Sequence, residues 1–300
     1  MRMCLVKLLP AILAVTVIFL WTASTSPVNA DTLKAKEHFN SGIKAKEAGK
    51  IDSAIIFYKA AIEEDPDFVD SYVNLGAIYF EKGNYEQARQ MFKIVTGKDK
   101  TNAAAFANLG RVEYTLRKYV EAEAAFQAAI ALENKNAEYY KELTKVYYKK
   151  QDYPKAIETV LKCHKLGGAD ANTYYILGKG YEKQKKTQDA INAFNKSIEL
   201  KNNYKARSAL GQIYLRQQKY AKAAQQFKAA LKVEPKAWRA AYNYAVAIQS
   251  LNPEDYDTNL KAWENFVKRA KNIPKAKNQV AEAQRVIKEL KEAKKKAELQ

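Results

Sequence analysis

The chain has 300 residues, of which 47% are hydrophobic and 28% are charged, and its formal net charge is +18. This apolar content is sufficient for a continuous hydrophobic core. The two cysteines, Cys4 and Cys163, are too few for a fold that depends on a network of disulfides.

Residues 1–30 have the composition of an export signal. Arg2 and Lys7 give a basic start, and an uncharged apolar run from Leu8 to Trp21 is followed by the candidate cleavage sequence Val28-Asn29-Ala30. The apolar run is short for a transmembrane helix, which needs about twenty residues. We therefore expect cleavage and export, to the periplasm of a bacterium. An uncleaved inner-membrane anchor, with the rest of the chain in the periplasm, is the alternative.

The chain that follows is built on a period of 34 residues, which shortens to 33 once. Three columns of residues keep this register, and Thr144 takes the glycine position in the fourth repeat. Self-similarity at a period of this length predicts a stack of repeated structural units. The columns are Gly42, Gly76, Gly110, Gly178 and Gly211; Ala54, Ala88, Ala122, Ala156, Ala190 and Ala223; and Tyr58, Phe92, Phe126, Val160, Phe194 and Phe227.

Each repeat contains two amphipathic helical segments. In the second repeat, Tyr72, Leu75 and Ile78 fall on one helical face, and a break at Gly83-Asn84 separates them from a second apolar stripe. No alternating pattern of the kind found in strands is present, so the sequence predicts an all-α protein. We predict helix pairs over residues 35–68, 69–102, 103–136, 137–170, 171–203 and 204–237, and an irregular pair over 238–274.

The last segment, residues 275–300, is rich in lysine. Val280, Ala283, Ile287 and Leu290 form one apolar stripe, and the opposite face is almost entirely charged. We predict a capping helix that covers the apolar face of the last pair, as stacked repeats require. A helix that binds a partner or a membrane is the alternative.

The columns resemble the tetratricopeptide repeat family, whose pattern is an aromatic residue, Leu-Gly, Tyr, Ala, a second aromatic residue and Pro. The second repeat matches it with Tyr72, Leu75-Gly76, Tyr79, Ala88 and Phe92. Thr144 and Glu113 depart from the glycine and tyrosine positions. The resemblance implies a right-handed superhelical solenoid of stacked antiparallel helix pairs over residues 31–274. It also implies that the first helix of each pair lines a concave groove, a surface that binds peptides in this family.

Three columns of polar and aromatic residues fall on the groove side of these first helices. Asparagines at a 34-residue spacing could hydrogen-bond an extended peptide, because a side-chain amide both donates and accepts. Basic residues would suit an acidic segment or a terminal carboxylate, and aromatic residues would supply contact area. We predict a peptide-binding groove formed by Asn40, Asn74 and Asn108; by Arg111, Lys145 and Lys179; and by Phe80, Tyr114 and Tyr148. Family consensus alone is the alternative explanation of the asparagine column.

No constellation of catalytic residues is found. His38 falls in an aromatic packing position, and Cys163 falls in a column of small residues that predicts a buried thiol. His164 directly follows Cys163, and adjacent helical residues point about 100° apart, so the two do not make a nucleophile–base pair. Neither a phosphate-binding loop nor a set of metal ligands is apparent. We therefore expect a protein that is not an enzyme and that has no metal or cofactor.

Positive charge is concentrated at the C-terminal end, since residues 201–300 hold 22 Lys and Arg against 9 Asp and Glu. We do not expect nucleic-acid binding, because the excess is mostly lysine and the chain carries an export signal. The leading hypothesis is an exported scaffold that binds a segment of an envelope or secreted protein, with self-association through the terminal repeats as a further expectation. The alternative is a module that docks its basic third on anionic lipid or an envelope polymer.

Overall fold

A computed structural model of the chain describes residues 30–299, and all of its regular structure in that range is helical. The predicted signal sequence lies outside the described residues except for Ala30, which begins the first helix. Within the described range, none of the helices has the length and apolar character needed to cross a membrane. The chain divides into two compact units, one that ends at Phe68 and one that begins at Val69. Each unit is described by itself.

The first compact unit consists of α1 (Ala30–Glu47) and α2 (Ile51–Glu64), which pack against each other. Gly42 allows their close approach, because a Cβ atom at that position would lie 2.6 Å from the Tyr58 ring. Phe39 contacts the Tyr58 ring at a centroid distance of 5.7 Å. The hydroxyl of Thr32 donates to the Asp65 carboxylate at 2.9 Å, which ties the start of α1 to the end of α2.

The second compact unit is a succession of helix pairs in which each helix packs against the next along the chain. The pairs are followed by a 3₁₀ turn (Pro274–Ala276) and by α15 (Lys277–Glu298). The predicted all-α architecture of stacked helix pairs is confirmed. The paired helices are α3 (Val69–Glu81), α4 (Tyr85–Lys98), α5 (Ala103–Thr115), α6 (Tyr119–Leu132), α7 (Ala137–Lys150), α8 (Tyr153–Lys165), α9 (Ala171–Lys183), α10 (Thr187–Leu200), α11 (Tyr204–Arg216), α12 (Tyr220–Val233), α13 (Trp238–Leu251) and α14 (Tyr256–Ala270).

The glycine and aromatic columns form the contact inside each pair. A Cβ atom at Gly178 would lie 2.6 Å from the Phe194 ring, and one at Gly110 would lie 2.9 Å from Phe126. Both rings are fully buried. The small residue therefore lets two helices approach closely, and the ring fills the remaining space.

Glu113, which stands in the tyrosine column, is buried and makes an ion pair across α4 and α5. Its Oε1 atom accepts a hydrogen bond from Arg89 Nε at 2.8 Å, whereas its buried Oε2 atom has no hydrogen-bond partner. The pKa of Arg89 is raised, chiefly by this hydrogen bond. Arg89 also bonds the exposed Glu86 at 3.1 Å, so the pair is part of a network that reaches the surface.

As predicted, α15 caps the last pair. Ala283 and Leu290 on α15 are buried in one cluster with Ala262, Trp263 and Phe266 of α14. The hydroxyl of Tyr242 on α13 donates to Glu282 Oε2 at 3.0 Å, and burial together with this carboxylate raises the pKa of Tyr242 to about 12. The apolar stripe of α15 thus completes the core that α13 and α14 leave open.

Candidate functional site

We use the term first-helix face for the surface of α3, α5, α7, α9, α11 and α13 that their paired helices leave accessible to solvent. Eight of the nine predicted groove residues lie on these helices. Asn40 is exposed on α1, in the other compact unit. Neighbouring first helices touch directly, as α5 and α7, α7 and α9, and α11 and α13 do.

The predicted asparagine column is engaged in contacts within its own helices. Asn74 Nδ2 donates to the backbone carbonyl of Asp70 at 3.0 Å. Asn108 Oδ1 accepts from Arg111 Nη1 at 3.1 Å. Each of these amides therefore uses one of its groups internally, and the binding of a peptide backbone by the column remains a prediction.

The predicted aromatic column packs inside the helix pairs. Phe80, Tyr114 and Tyr148 are half-buried, and each ring meets the first residue of the following helix. Tyr148 in addition contacts Tyr175 of the next first helix at 6.3 Å, so it links α7 to α9. These rings therefore stabilise the pairs as well as facing solvent. The three contacts within pairs are Phe80–Tyr85 at 5.5 Å, Tyr114–Tyr119 at 5.7 Å and Tyr148–Tyr153 at 6.4 Å.

The predicted basic column is partly neutralised by carboxylates on its own helices. Lys145 Nζ lies 2.7 Å from Glu142 Oε1. Lys179 pairs with Glu182, which also accepts from Arg216 of α11 at 2.7 Å. Burial of Glu182 raises its pKa, but the hydrogen bonds from Lys179 and Arg216 outweigh this effect and leave the pKa below its ordinary value. The positive charge expected in the middle of the groove is thus weaker than the basic column alone indicates.

The structure places Lys179 beside a cleft on α9, α11 and α13, which we call the terminal cleft. Its volume is about 550 Å³, which is within the usual range for ligand pockets. Three half-buried aromatic residues, Tyr175, Tyr204 and Trp238, line it. Burial, followed by the interaction with Tyr148, raises the pKa of Tyr175.

The remaining wall of the terminal cleft is mainly cationic. Lys205, Lys236 and Arg239 are exposed and line it, and Glu234 is the one carboxylate among the described lining residues. The guanidinium carbon of Arg239 lies 4.4 Å from the centroid of the Trp238 ring, a cation–π contact.

Local sequence signals hold these side chains in place. Asn203 caps α11, because its side-chain oxygen accepts from the backbone N–H of Lys205 at 3.0 Å, and this fixes Tyr204 and Lys205 in the first turn. The loop before α13 is closed by a bond from Ala237 N to Glu234 O at 3.0 Å.

Of the residues that line the terminal cleft, the groove predicted from the sequence includes only Lys179. The repeat period does indicate other lining residues. Tyr204 and Trp238 are 34 residues apart, and so are Lys205 and Arg239. Tyr175 lies four residues before Lys179 on the same helix, as the period-3.6 geometry requires for a shared face.

In the part of the chain that the structure describes, the cysteine and the histidine next to it are engaged in burial and local contacts. Cys163 is buried, its Sγ lies 3.4 Å from the Ala137 carbonyl, and burial raises its pKa. His164 Nε2 lies 2.9 Å from Thr173 Oγ1, and burial lowers the pKa of this histidine. Between residues 30 and 299 there is no group of three or more His, Cys, Asp or Glu residues that could hold a metal ion.

Comparison with known proteins gives the family. The family model described as the C-terminal domain of cilia and flagella-associated protein 70, a tetratricopeptide repeat domain, matches residues 23–241. The chain belongs to the tetratricopeptide repeat family. Proteins of this class are in general interaction scaffolds without catalytic activity, and this chain is a protein-interaction scaffold by class.

Solved structures agree with this assignment. A structure of MamA is 30% identical, with a TM-score of 0.52, and the match covers 54% of this chain and 94% of that one. The C-terminal part of a repeat protein from Cytophaga hutchinsonii is 20% identical, with a TM-score of 0.63 and coverage of 80% and 98%. YrrB, described as a protein with an unusual peptide-binding site, is 21% identical, with a TM-score of 0.50 and coverage of 61% and 93%. No curated protein sequence gives a significant match.

Proposed function

We propose that the protein is an exported scaffold of the bacterial periplasm that binds a peptide segment of an envelope or secreted protein on its first-helix face. It acts without catalysis and without a cofactor. The apolar run and small-residue sequence in residues 1–30 support export. Cleavage of this segment releases the scaffold, and retention would anchor it in the inner membrane.

One observation carries the proposal of peptide binding. The first-helix face contains a cleft of about 550 Å³ that is lined by aromatic, polar and charged side chains. Peptide-binding surfaces combine aromatic residues that supply contact area with polar groups that fix orientation. The same face carries the predicted residues Arg111, Lys145 and Tyr148 on α5 and α7, and α7 contacts α9.

Site-specific photocrosslinking in the native cells tests the proposal. A photoreactive phenylalanine derivative is placed at Tyr148 or at Gln212 of the first-helix face, and at Lys228 on α12 as the matched control. We expect discrete protein adducts from the two face positions that are absent from the control, with the partner's crosslinked segment identified by mass spectrometry. Identical adducts from all three positions, or none from the face, would contradict the proposal.

A second candidate function rests on α15. The solvent side of this helix carries a net positive charge, because its exposed basic residues outnumber the exposed Glu289, Glu292 and Glu298. The exposed basic residues include Lys277, Arg285, Lys288, Lys295 and Lys296. A surface of this kind would attract anionic lipid or an anionic envelope polymer. Binding of the protein to phosphatidylglycerol vesicles at low salt that is lost on substitution of these residues, together with no crosslinked partner, would favour this function.

A further inference from the structure

We infer that the terminal cleft binds an acidic stretch of the partner, so that carboxylates of the ligand meet Lys205, Lys236 and Arg239. The inference rests on the proposed function and makes it more specific. It assigns both the position along the first-helix face and the chemistry of the segment that is held there.

The distribution of ion pairs along the face supports this position. Lys145 and Lys179 already have carboxylate partners in Glu142 and Glu182, and Lys141 is bonded to Glu138 at 2.6 Å. In contrast, no carboxylate between residues 30 and 299 lies within ion-pair distance of the three cations of the cleft wall. Their charge is therefore available to a ligand, whereas Lys141, Lys145 and Lys179 would first have to give up a carboxylate partner.

The geometry of Arg239 favours a carboxylate. Its guanidinium carbon lies 4.4 Å from the centroid of the Trp238 ring, and this cation–π contact restricts the side chain while leaving it exposed. A restrained guanidinium loses less freedom when it forms the two parallel hydrogen bonds that a carboxylate accepts. Glu234, the carboxylate of the cleft wall, accepts from the backbone N–H of Lys236 at 3.2 Å.

The aromatic and polar residues that line the terminal cleft suit a short extended peptide segment. Tyr204 and Trp238 provide two rings at the same position of consecutive first helices, and Tyr175 adds a third. Ser208 and Gln212 also line the cleft and can donate to and accept from a peptide backbone. The volume of about 550 Å³ accommodates a few residues of a peptide and not a folded domain.

The test measures binding of the full chain to an array of decapeptides in which every acidic sequence is matched by its amide form, with Gln and Asn in place of Glu and Asp. The cleft variant is Lys205→Gln/Arg239→Gln. Its control, Lys228→Gln/Lys232→Gln, removes two exposed lysines of α12 that do not line the cleft. We expect preference for the acidic forms, a loss of about tenfold in affinity for the cleft variant, and parent-like binding for the control.

The other outcomes overturn the inference in distinguishable ways. One such outcome is peptide binding without preference for the acidic forms, which Arg111→Ala/Tyr148→Ala abolishes and the cleft variant does not. This outcome would refute the acidic ligand and would leave the proposed function standing. Absence of peptide binding in every form, with binding to phosphatidylglycerol vesicles instead, would refute both. Equal losses for the cleft variant and the control would show a general charge effect and would also refute the assignment.

Discussion

Thr144 on α7 and Val160 on α8 show how one helix pair differs from the others in its contact residues and still keeps a buried core. In the five pairs that carry a glycine in this column, the glycine faces a ring, and a Cβ atom at that glycine would approach the ring to between 2.6 and 3.1 Å. Thr144 adds both a Cβ atom and a hydroxyl, which donates to the Tyr140 carbonyl at 2.8 Å. Val160, which is smaller than a ring, stands where the other pairs have an aromatic residue. Thr144 and Val160 are both buried. The two departures therefore compensate in volume.

The first prediction is that Val160→Phe destabilises the protein by about 1–3 kcal/mol, because the added ring overpacks the space beside Thr144. The double variant Thr144→Gly/Val160→Phe should recover much of this loss, although glycine inside a helix costs about 1 kcal/mol. Denaturant unfolding of the two single variants and the double variant measures the coupling. Strictly additive effects would show that the two positions are independent.

Glu113 is a second departure, and its burial makes Arg89 important. We predict that Arg89→Met destabilises the protein by about 3–5 kcal/mol, since it leaves a buried carboxylate without its counter-charge. Adding Glu113→Gln to that variant should restore most of the loss. Lys118→Met, which removes a surface ion pair with Glu86, serves as the control and should cost less than about 1 kcal/mol. Thermal unfolding would contradict the prediction if Arg89→Met and the control behaved alike.

At the scale of the elements, the turn between the two helices of each of the first six pairs contains one residue whose backbone is in the left-handed conformation, with a positive φ. Gly49 and Gly83 supply it in the first two pairs with φ of 72° and 80°. The next four pairs use residues with side chains at the same point, at φ between 56° and 61°. These are Arg117, Gln151, Lys185 and Gln218.

We predict that Lys185→Gly stabilises the protein by up to about 1 kcal/mol, because glycine has no Cβ atom to clash in this conformation. Gly83→Ala should destabilise it by about 1 kcal/mol for the same reason. Exposed Lys183→Gly, two residues earlier at the last position of α9, is the control and should be destabilising, because the helical conformation does not favour glycine. Midpoints of urea unfolding decide the matter, and a loss of stability in Lys185→Gly would refute the argument.

Glu182 joins two first helices, since it accepts hydrogen bonds from Lys179 on α9 and Arg216 on α11. Its pKa is lowered on folding, so its stabilising effect is present above the ordinary value of 4.5 and is lost as the pH falls through the lower folded value. We predict that Glu182→Gln costs roughly 1 kcal/mol at pH 7 and less at pH 3, below the ordinary pKa of 4.5. Unfolding measured at both pH values checks this, and an equal cost at both would show that the ion pairs are not responsible.

At the scale of the whole molecule, α15 covers an apolar surface that the last pair cannot cover. We predict that a chain ending at Ala276 has a lower melting temperature and associates, because Trp263 and its neighbours become exposed. A chain ending at Lys295 keeps Leu290 and is the control. Size-exclusion chromatography with light scattering measures association. A shortened chain that stayed monomeric at unchanged stability would show that α15 is dispensable.

The sequence was sufficient to predict the helix pairs because their contacts repeat in its columns. Gly110 and Phe126, for example, could be assigned to one contact from spacing alone. The site was less predictable, because what a column residue can do depends on neighbours outside the column. Glu142 and Glu182 neutralise two of the predicted cations, and neither belongs to the basic column. The Trp238–Arg239 contact depends on a side-chain conformation that no periodicity contains.

The glycine–ring contacts have a consequence for how the chain acquires its structure. Gly76 meets Phe92, and Gly178 meets Phe194, so the residues that close a pair are only 16 positions apart. Closure of such short loops costs little entropy, and proteins with contacts of this range fold quickly. A pair can therefore form as soon as its own residues are free, before the rest of the chain is present. A protein that crosses a membrane unfolded, from the N-terminus onwards, could regain its helix pairs one after another as they emerge.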